Sequence, residues 1–157
     1  MGLRLYLEER AWATEIEGGE ELGGYGYGLR DEEGRALGWD DPALVENGVE
    51  VLEVAGTSFR LPALQDRAFA PGSRLLLRPD PENAYDENAV EVLDAGGRVQ
   101  VGFVRKERSE ALARRLQSEQ LEVFSLWAWR NERGQRSALR VLVAPPGTVA
   151  GEPRPLV

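Results

Sequence analysis

The residues best equipped for chemistry lie in one polar stretch, Arg78-Pro79-Asp80-Pro81-Glu82-Asn83-Ala84-Tyr85-Asp86-Glu87-Asn88. Two prolines fix φ within it, and Asp and Asn side chains bond back to nearby amides, so it reads as a rigid loop. The loop sets an aromatic ring, Tyr85, beside a carboxylate, Asp86, and an amide, Asn88. Carboxylates such as Asp80, Glu82, Asp86 and Glu87 are the groups that hold Mg²⁺ for phosphoryl hydrolysis. No histidine and no second acidic cluster accompanies them, so no metal site is expected. The chain also lacks cysteine. Disulfides, zinc fingers, Cys or His nucleophiles and imidazole bases are therefore excluded. The glycines at positions 23–28 lack the Gly-Lys-Ser/Thr ending of a phosphate loop. The expectation is a non-enzymatic protein with no cofactor.

The cations are 18 arginines and one lysine, Lys106. The net charge of −8 argues against nucleic acid, but its distribution matters more than its sum. Residues 1–53 hold 14 acids and four arginines, whereas residues 98–140 hold ten cations and five acids. Arg105, Arg108, Arg114 and Arg115 cluster on one helical segment. A solvated helix face is the plain reading of that cluster, and a face that tracks phosphates is the sharper one. Trp127 and Trp129 share a strand, with Trp12 and Trp39 elsewhere, and core packing is the expected role for most of them.

Many short strands and one helix must position these groups. Apolar and polar residues alternate over residues 3–8, and residues 11–16 suggest a second strand. Gly18-Gly19 punctuates the segment that follows. Asp31-Glu32-Glu33-Gly34 reads as a hairpin turn, Asp41-Pro42 as a helix start and Asn47-Gly48 as another turn. Strands are expected at 49–54, 74–78, 89–93, 99–104, 123–129 and 138–143, and a helix at 107–117. Along 123–129, Phe124, Leu126 and Ala128 alternate against Val123, Ser125, Trp127 and Trp129. A Gly/Pro-rich end, loosely ordered, follows Pro145. This pattern predicts a mainly β fold with one helix, a small β-barrel or open β-roll of OB or SH3 type. The charge shift divides the chain into an acidic β-rich extension at 1–48, a domain at 49–144 and a tail at 145–157. Forty-eight residues make a poor core alone, so the extension is expected to add strands to the same sheet.

The stretch at 78–92, followed by Val101-Gly102-Phe103-Val104-Arg105-Lys106 and then Ala111-Leu112-Ala113, resembles the HIRAN family. That family carries an Asp-Pro-x-Asn-x-Tyr-Asp-x-Asn-Ala segment, a Val-Gly-hydrophobic strand and an Ala-rich helix in this order. Val54-Ala55-Gly56-Thr57-Ser58-Phe59-Arg60 is similar to its opening Val-x-Gly strand with an adjoining aromatic. The resemblance covers residues 50–143, its core 78–116, and nothing in residues 1–48.

The resemblance implies binding of single-stranded DNA at its 3′ end. Carried over, Tyr85 is a stacking or wall residue, Asp86 accepts from the terminal hydroxyl and Lys106 contacts phosphate. Phe59, with Ser58 and Arg60, lies beside the opening strand, Phe103 stands near the end pocket, and Asn88 completes the set. Ser58-Phe59-Arg60 offers one aromatic where DNA-binding members often carry a basic residue and two aromatics, and Glu87 is not basic. The alternative is a protein-interaction or regulatory module of a DNA repair or remodelling system that does not bind DNA itself. A helicase or nuclease is the expected protein partner. No apolar run approaches the length of a membrane helix and no apolar leader precedes the first acids, so a cytoplasmic protein is expected.

Overall fold

The computed structural model describes residues 2–16 and 20–157, and for residues 13–16 and 20–22 the backbone alone. The punctuation expected at Gly18-Gly19 lies outside the described residues. Strands β1 (Tyr6–Ile16) and β2 (Glu20–Arg30) form a long antiparallel hairpin. The two short strands expected at 3–8 and 11–16 are one, because β2 pairs with every residue from Tyr6 to Ile16 and carries the polar Glu8-Glu9-Arg10 through. The Asp31 carboxylate accepts from the Glu33 and Arg35 amides, Gly34 adopts φ 81°, and β3 (Ala36–Leu37) returns beside β2. Helix α1 (Pro42–Glu46) starts on Asp41, whose carboxylate accepts from the Ala43 amide, and stops at Asn47.

Strand β4 (Glu50–Glu53) leads into a 3₁₀ turn at Thr57–Phe59, helix α2 (Leu61–Leu64) and a second 3₁₀ turn at Arg67–Phe69. Then come β5 (Leu75–Pro79), β6 (Val90–Asp94), β7 (Gln100–Phe103), helix α3 (Lys106–Ser118), β8 (Glu122–Arg130) and β9 (Arg136–Ala144). One antiparallel sheet runs β1-β2-β8-β9-β4 with β3 on β2, and a second runs β5-β6-β7. The acidic front segment thus pairs directly with β8.

Two seams join the sheets. At one, Ala55 and Phe103 exchange backbone hydrogen bonds of 2.8 and 2.9 Å. At the other, the Gly72 amide donates to Ser125 O at 2.7 Å and the Ser125 amide donates to Ser73 O at 2.9 Å. Each is a single bridge rather than a ladder, and the fold is mainly β, of antiparallel sheets, with one long helix. Gly102 sits where the first seam crosses β7. A Cβ there would collide with the Ala55 carbonyl oxygen and lie 2.7 Å from Val54 Cγ1, so only glycine fits.

One core gathers Val90, Val92, Val101, Leu112, Leu139 and Val141, with Leu112 supplied by α3. A second gathers Leu29, Leu44, Phe124, Leu126 and Leu142 under the front segment. The simple alternation expected along β8 is broken by a register shift between Ser125 and Trp127, which places Ala128 in the first core with Val123 and leaves Leu126 with Phe124 in the second. The C-terminal segment is bound rather than loose. The Leu5 amide donates to Thr148 O, the Leu156 amide donates to Pro71 O and the Tyr27 hydroxyl donates to Arg154 O. Arg154 pairs with Glu9 at 2.6 Å and Arg74 with Glu152 at 2.6 Å, which clasps the extension to the rest.

Replacing Gly102 by alanine overfills the first seam. Gly102→Ala should cost about 1–3 kcal/mol of stability, read from the urea midpoint, with an unchanged slope.

Candidate nucleic-acid interface

The loop between β5 and β6 is closed by the Asp80 amide, which donates to Ala89 O at 2.8 Å. Asn83 organises its interior. Its side-chain oxygen accepts from the Tyr85 and Asp86 amides at 2.9 and 3.1 Å, and its Nδ2 donates to Asp80 Oδ2 at 3.2 Å. Asp86 Oδ1 accepts from the Asn88 amide at 2.9 Å. The Asp/Asn pattern is therefore used first to fold the loop, as such side chains do where no ladder supplies partners. With its neighbours turned inward, Tyr85 projects and is 97% exposed. It does not pack beneath the loop.

The other Asp86 oxygen ties the loop to α3. Ser109, only 2% exposed, presents its hydroxyl to Asp86 Oδ2 at 3.1 Å and to Lys106 O at 3.0 Å. A hydroxyl has one hydrogen, so it donates to one of the two at a time. This contact holds Asp86 against the first turn of α3, whose first residue is Lys106, and leaves the neighbouring Tyr85 ring in solvent. Among the described residues no carboxylate lies within 4.0 Å of the exposed Lys106 ammonium.

Ser58, Phe59 and Arg60 sit across the Ala55–Phe103 seam. Gly56, at φ 80°, turns the chain out of the bridge into the 3₁₀ turn, where Thr57 is buried and Phe59 is 89% exposed. Arg60 is exposed, and among the described residues it too has no carboxylate within 4.0 Å. Ser58 and Arg105 line a cleft of about 340 Å³, with Glu53 in the same wall. Phe103 is half-buried at the seam, two residues before Arg105, and Asn88 is half-buried in its loop. The seam thus brings two groups to one region: Ser58, Phe59 and Arg60 on one side, and Phe103, Arg105 and Lys106 on the other.

The arginines of α3 do not form a free phosphate-tracking face. Arg108 and Arg115 both pair with Glu50, at 2.7 and 3.1 Å, Arg115 also pairs with Glu119, and Arg114 pairs with Glu110. Sequence reasoning missed Ser109, whose partner Asp86 lies on a different element, and Asn83, whose partners lie within its own loop. For Asn83, the Asp-x-x-Asn spacing of a self-bonding loop was the available signal. Arg140 pairs at 3.9 Å with Glu53, a wall residue of the Ser58 cleft. Burial lowers its pKa below the ordinary arginine value, Glu53 opposes that and Arg105 adds to it, and the group stays cationic at neutral pH. Among the described residues no cluster of three acids, His or Cys is placed to hold a metal ion, and no helix is long and apolar enough to cross a membrane.

A family model for the HIRAN domain matches residues 48–144. The chain belongs to the HIRAN domain family. HIRAN domains are nucleic-acid-binding modules, with DNA as the partner class. Among solved structures, the HIRAN domain of human HLTF is 22% identical, over 64% of this chain and 78% of that one, with a TM-score of 0.42. A protein from Lactobacillus plantarum is 18% identical, over 59% of this chain and 89% of that one, with a TM-score of 0.46. No curated protein matches. The HIRAN match spans the polar loop, both sides of the Ala55–Phe103 seam and α3, and omits β1, β2 and β3.

Ser109→Ala leaves an Asp86 oxygen without its protein donor. The change should cost about 1–3 kcal/mol and speed hydrogen exchange at the Asn88 and Ala89 amides, while exchange in β8 and β9 slows or speeds only with global stability.

Proposed function

We propose that the junction of the polar loop with α3 captures the free 3′ end of single-stranded DNA. The observation that carries this reading is the Ser109 contact, which ties the loop of Tyr85 and Asp86, an exposed ring beside a carboxylate with lone pairs to spare, to the helical turn that begins at Lys106. Each group meets a different part of a strand end. The Tyr85 ring offers a face on which an unpaired base stacks. Lys106 holds a phosphate as a point charge. Asp86 spends one acceptor site on Asn88 and one on Ser109, and a carboxylate has about four. The terminal hydroxyl donates to one that remains. A carboxylate near phosphates is otherwise repulsive, so Asp86 selects the end rather than adding affinity.

Phe59, Ser58 and Arg60 extend the surface across the seam, and Phe103 with Asn88 supports the pocket from behind. The helix arginines are already neutralised, so the module binds with few phosphate contacts and modest salt dependence. The role is non-catalytic. The chain works beside a helicase or nuclease, in the cytoplasm, as the end-recognising part of a DNA repair or remodelling system.

Asp86→Asn keeps an acceptor for the Asn88 amide and an amide that donates to Ser109, so the loop survives while the charge is lost. Fluorescence anisotropy with short single strands should show the preference for a free over a phosphorylated 3′ end fall by about tenfold. Lys106→Ala should weaken both ends alike and lower the salt slope by about one. Equal loss at both ends in Asp86→Asn, with an unchanged melting temperature, would make Asp86 a loop residue only.

A further inference from the structure

Strand β1 is an open edge of the large sheet, and the HIRAN match does not include it. It pairs with β2 through all eleven residues, Tyr6 to Ile16, without a bulge. Its outer side already takes a backbone neighbour at one end. The Leu5 amide donates to Thr148 O at 2.7 Å, and the Ala150 amide donates to Leu5 O at 2.8 Å. Successive residues of a strand turn their amides to opposite sides, so Leu7, Glu9 and Ala11 face outward as Leu5 does. Among the described residues those three amides have no acceptor. The usual guards of an open edge are a proline, a lysine or a bulge, and β1 carries none of them. Tyr6 and Trp12 are instead 45% and 57% exposed on one face of it.

Register decides what fits this edge. Ala11 is the midpoint of β1. A second copy laid antiparallel about Ala11 pairs the strand from end to end. It stops one residue short of Leu5, where the C-terminal segment takes over the edge through Val149. In this register Arg10 stands opposite Trp12 of the second copy, Glu9 opposite Ala13 and Glu8 opposite Thr14, so no charge faces a like charge. Arg10 and Trp12 are both exposed and share a face, which sets a guanidinium beside an indole twice across the two-fold. Shifted registers lose this. A two-fold at Arg10 sets that arginine against itself. One at Glu9 sets two carboxylates opposite each other and drives the end of the second strand onto Val149. One at Trp12 leaves Tyr6 and Leu7 unpaired. The edge is therefore self-complementary about one residue, Ala11.

We propose that the protein forms a two-fold dimer by antiparallel pairing of β1 with β1 of a second copy, which joins the two large sheets into one. The interface belongs to the front segment and does not rest on the 3′-end reading. A closed two-fold occupies both edges, so the assembly ends at two copies. Sedimentation of the full chain should show the mass rise from one copy to two with concentration and go no further. The chain has no cysteine, so single-cysteine variants report the register. Ala11→Cys should cross-link under mild oxidation, because residues opposed in a hydrogen-bonded pair stand about 5.5 Å apart. Glu9→Cys should not, since its counterpart lies four residues along, roughly 13 Å away. Ala11→Pro removes the backbone bonds at the two-fold and should raise the dimer Kd at least about tenfold. Its amide faces away from β2, so the melting temperature of the dilute monomer should hold. The mass of one copy at every concentration overturns the proposal. So do larger assemblies, equal cross-linking of Ala11→Cys and Glu9→Cys, or a folded Ala11→Pro that dimerises as tightly as the parent. If Ala11→Pro does not fold, the two cysteine variants decide alone.

Discussion

Two backbone hydrogen bonds between Ala55 and Phe103 set the geometry on which the candidate site rests. They join the edge of the large sheet to the edge of the small one where no ladder does. The approach is close enough that position 102 must be glycine. That single requirement gives a physical reason for the Val101-Gly102-Phe103 motif. It also fixes what lies on either side. Upstream, the chain leaves the seam at Gly56 and presents Ser58, Phe59 and Arg60. Downstream, β7 ends at Phe103 and α3 begins at Lys106.

The second constraint is the reuse of Asp86. A carboxylate that folds its own loop and anchors it to Ser109 is held at a defined angle, and both of those bonds leave acceptor capacity. Rigid placement is what selective capture of a terminal hydroxyl needs, because a mobile carboxylate near phosphates would only repel. Tyr85 and Phe59 make sense in the same frame. Both are nearly fully exposed, which costs apolar contact with nothing gained inside the chain.

Much of this was legible in the residues. Turn chemistry placed Asp31, Gly34 and Asp41, and helical spacing placed α3 within a residue of its ends. Other features depend on partners distant in sequence. Glu50, on β4, neutralises Arg108 and Arg115 on α3, so an arginine cluster that looks basic in sequence is not free in space. The β8 bulge shifts Ala128 to the core by a pairing irregularity with β9 that strict alternation cannot express. Residues 61–69 carry no regular period, yet Leu64 and Phe69 are fully buried through α2 and the 3₁₀ turn that follows it. The C-terminal segment has the composition of a loose end and is held by Leu5, Tyr27 and Pro71 instead. At the candidate site, Tyr85, Asp86 and Lys106 were legible as a motif, whereas Ser109, which ties Asp86 to the first turn of α3, was visible only in the fold.

The central claim is that the loop–helix junction, rather than the helix arginines, meets the DNA end. Amide and indole NMR shifts of the full chain, measured with one short single strand carrying either a free or a phosphorylated 3′ end, test it most directly. The account predicts the largest changes at the Tyr85, Asp86, Lys106 and Ser109 amides, larger for the free end, with the Trp12 and Trp39 indole signals still. Identical shifts for the two ends, or changes centred on Arg108, Arg114 and the indoles, would contradict it.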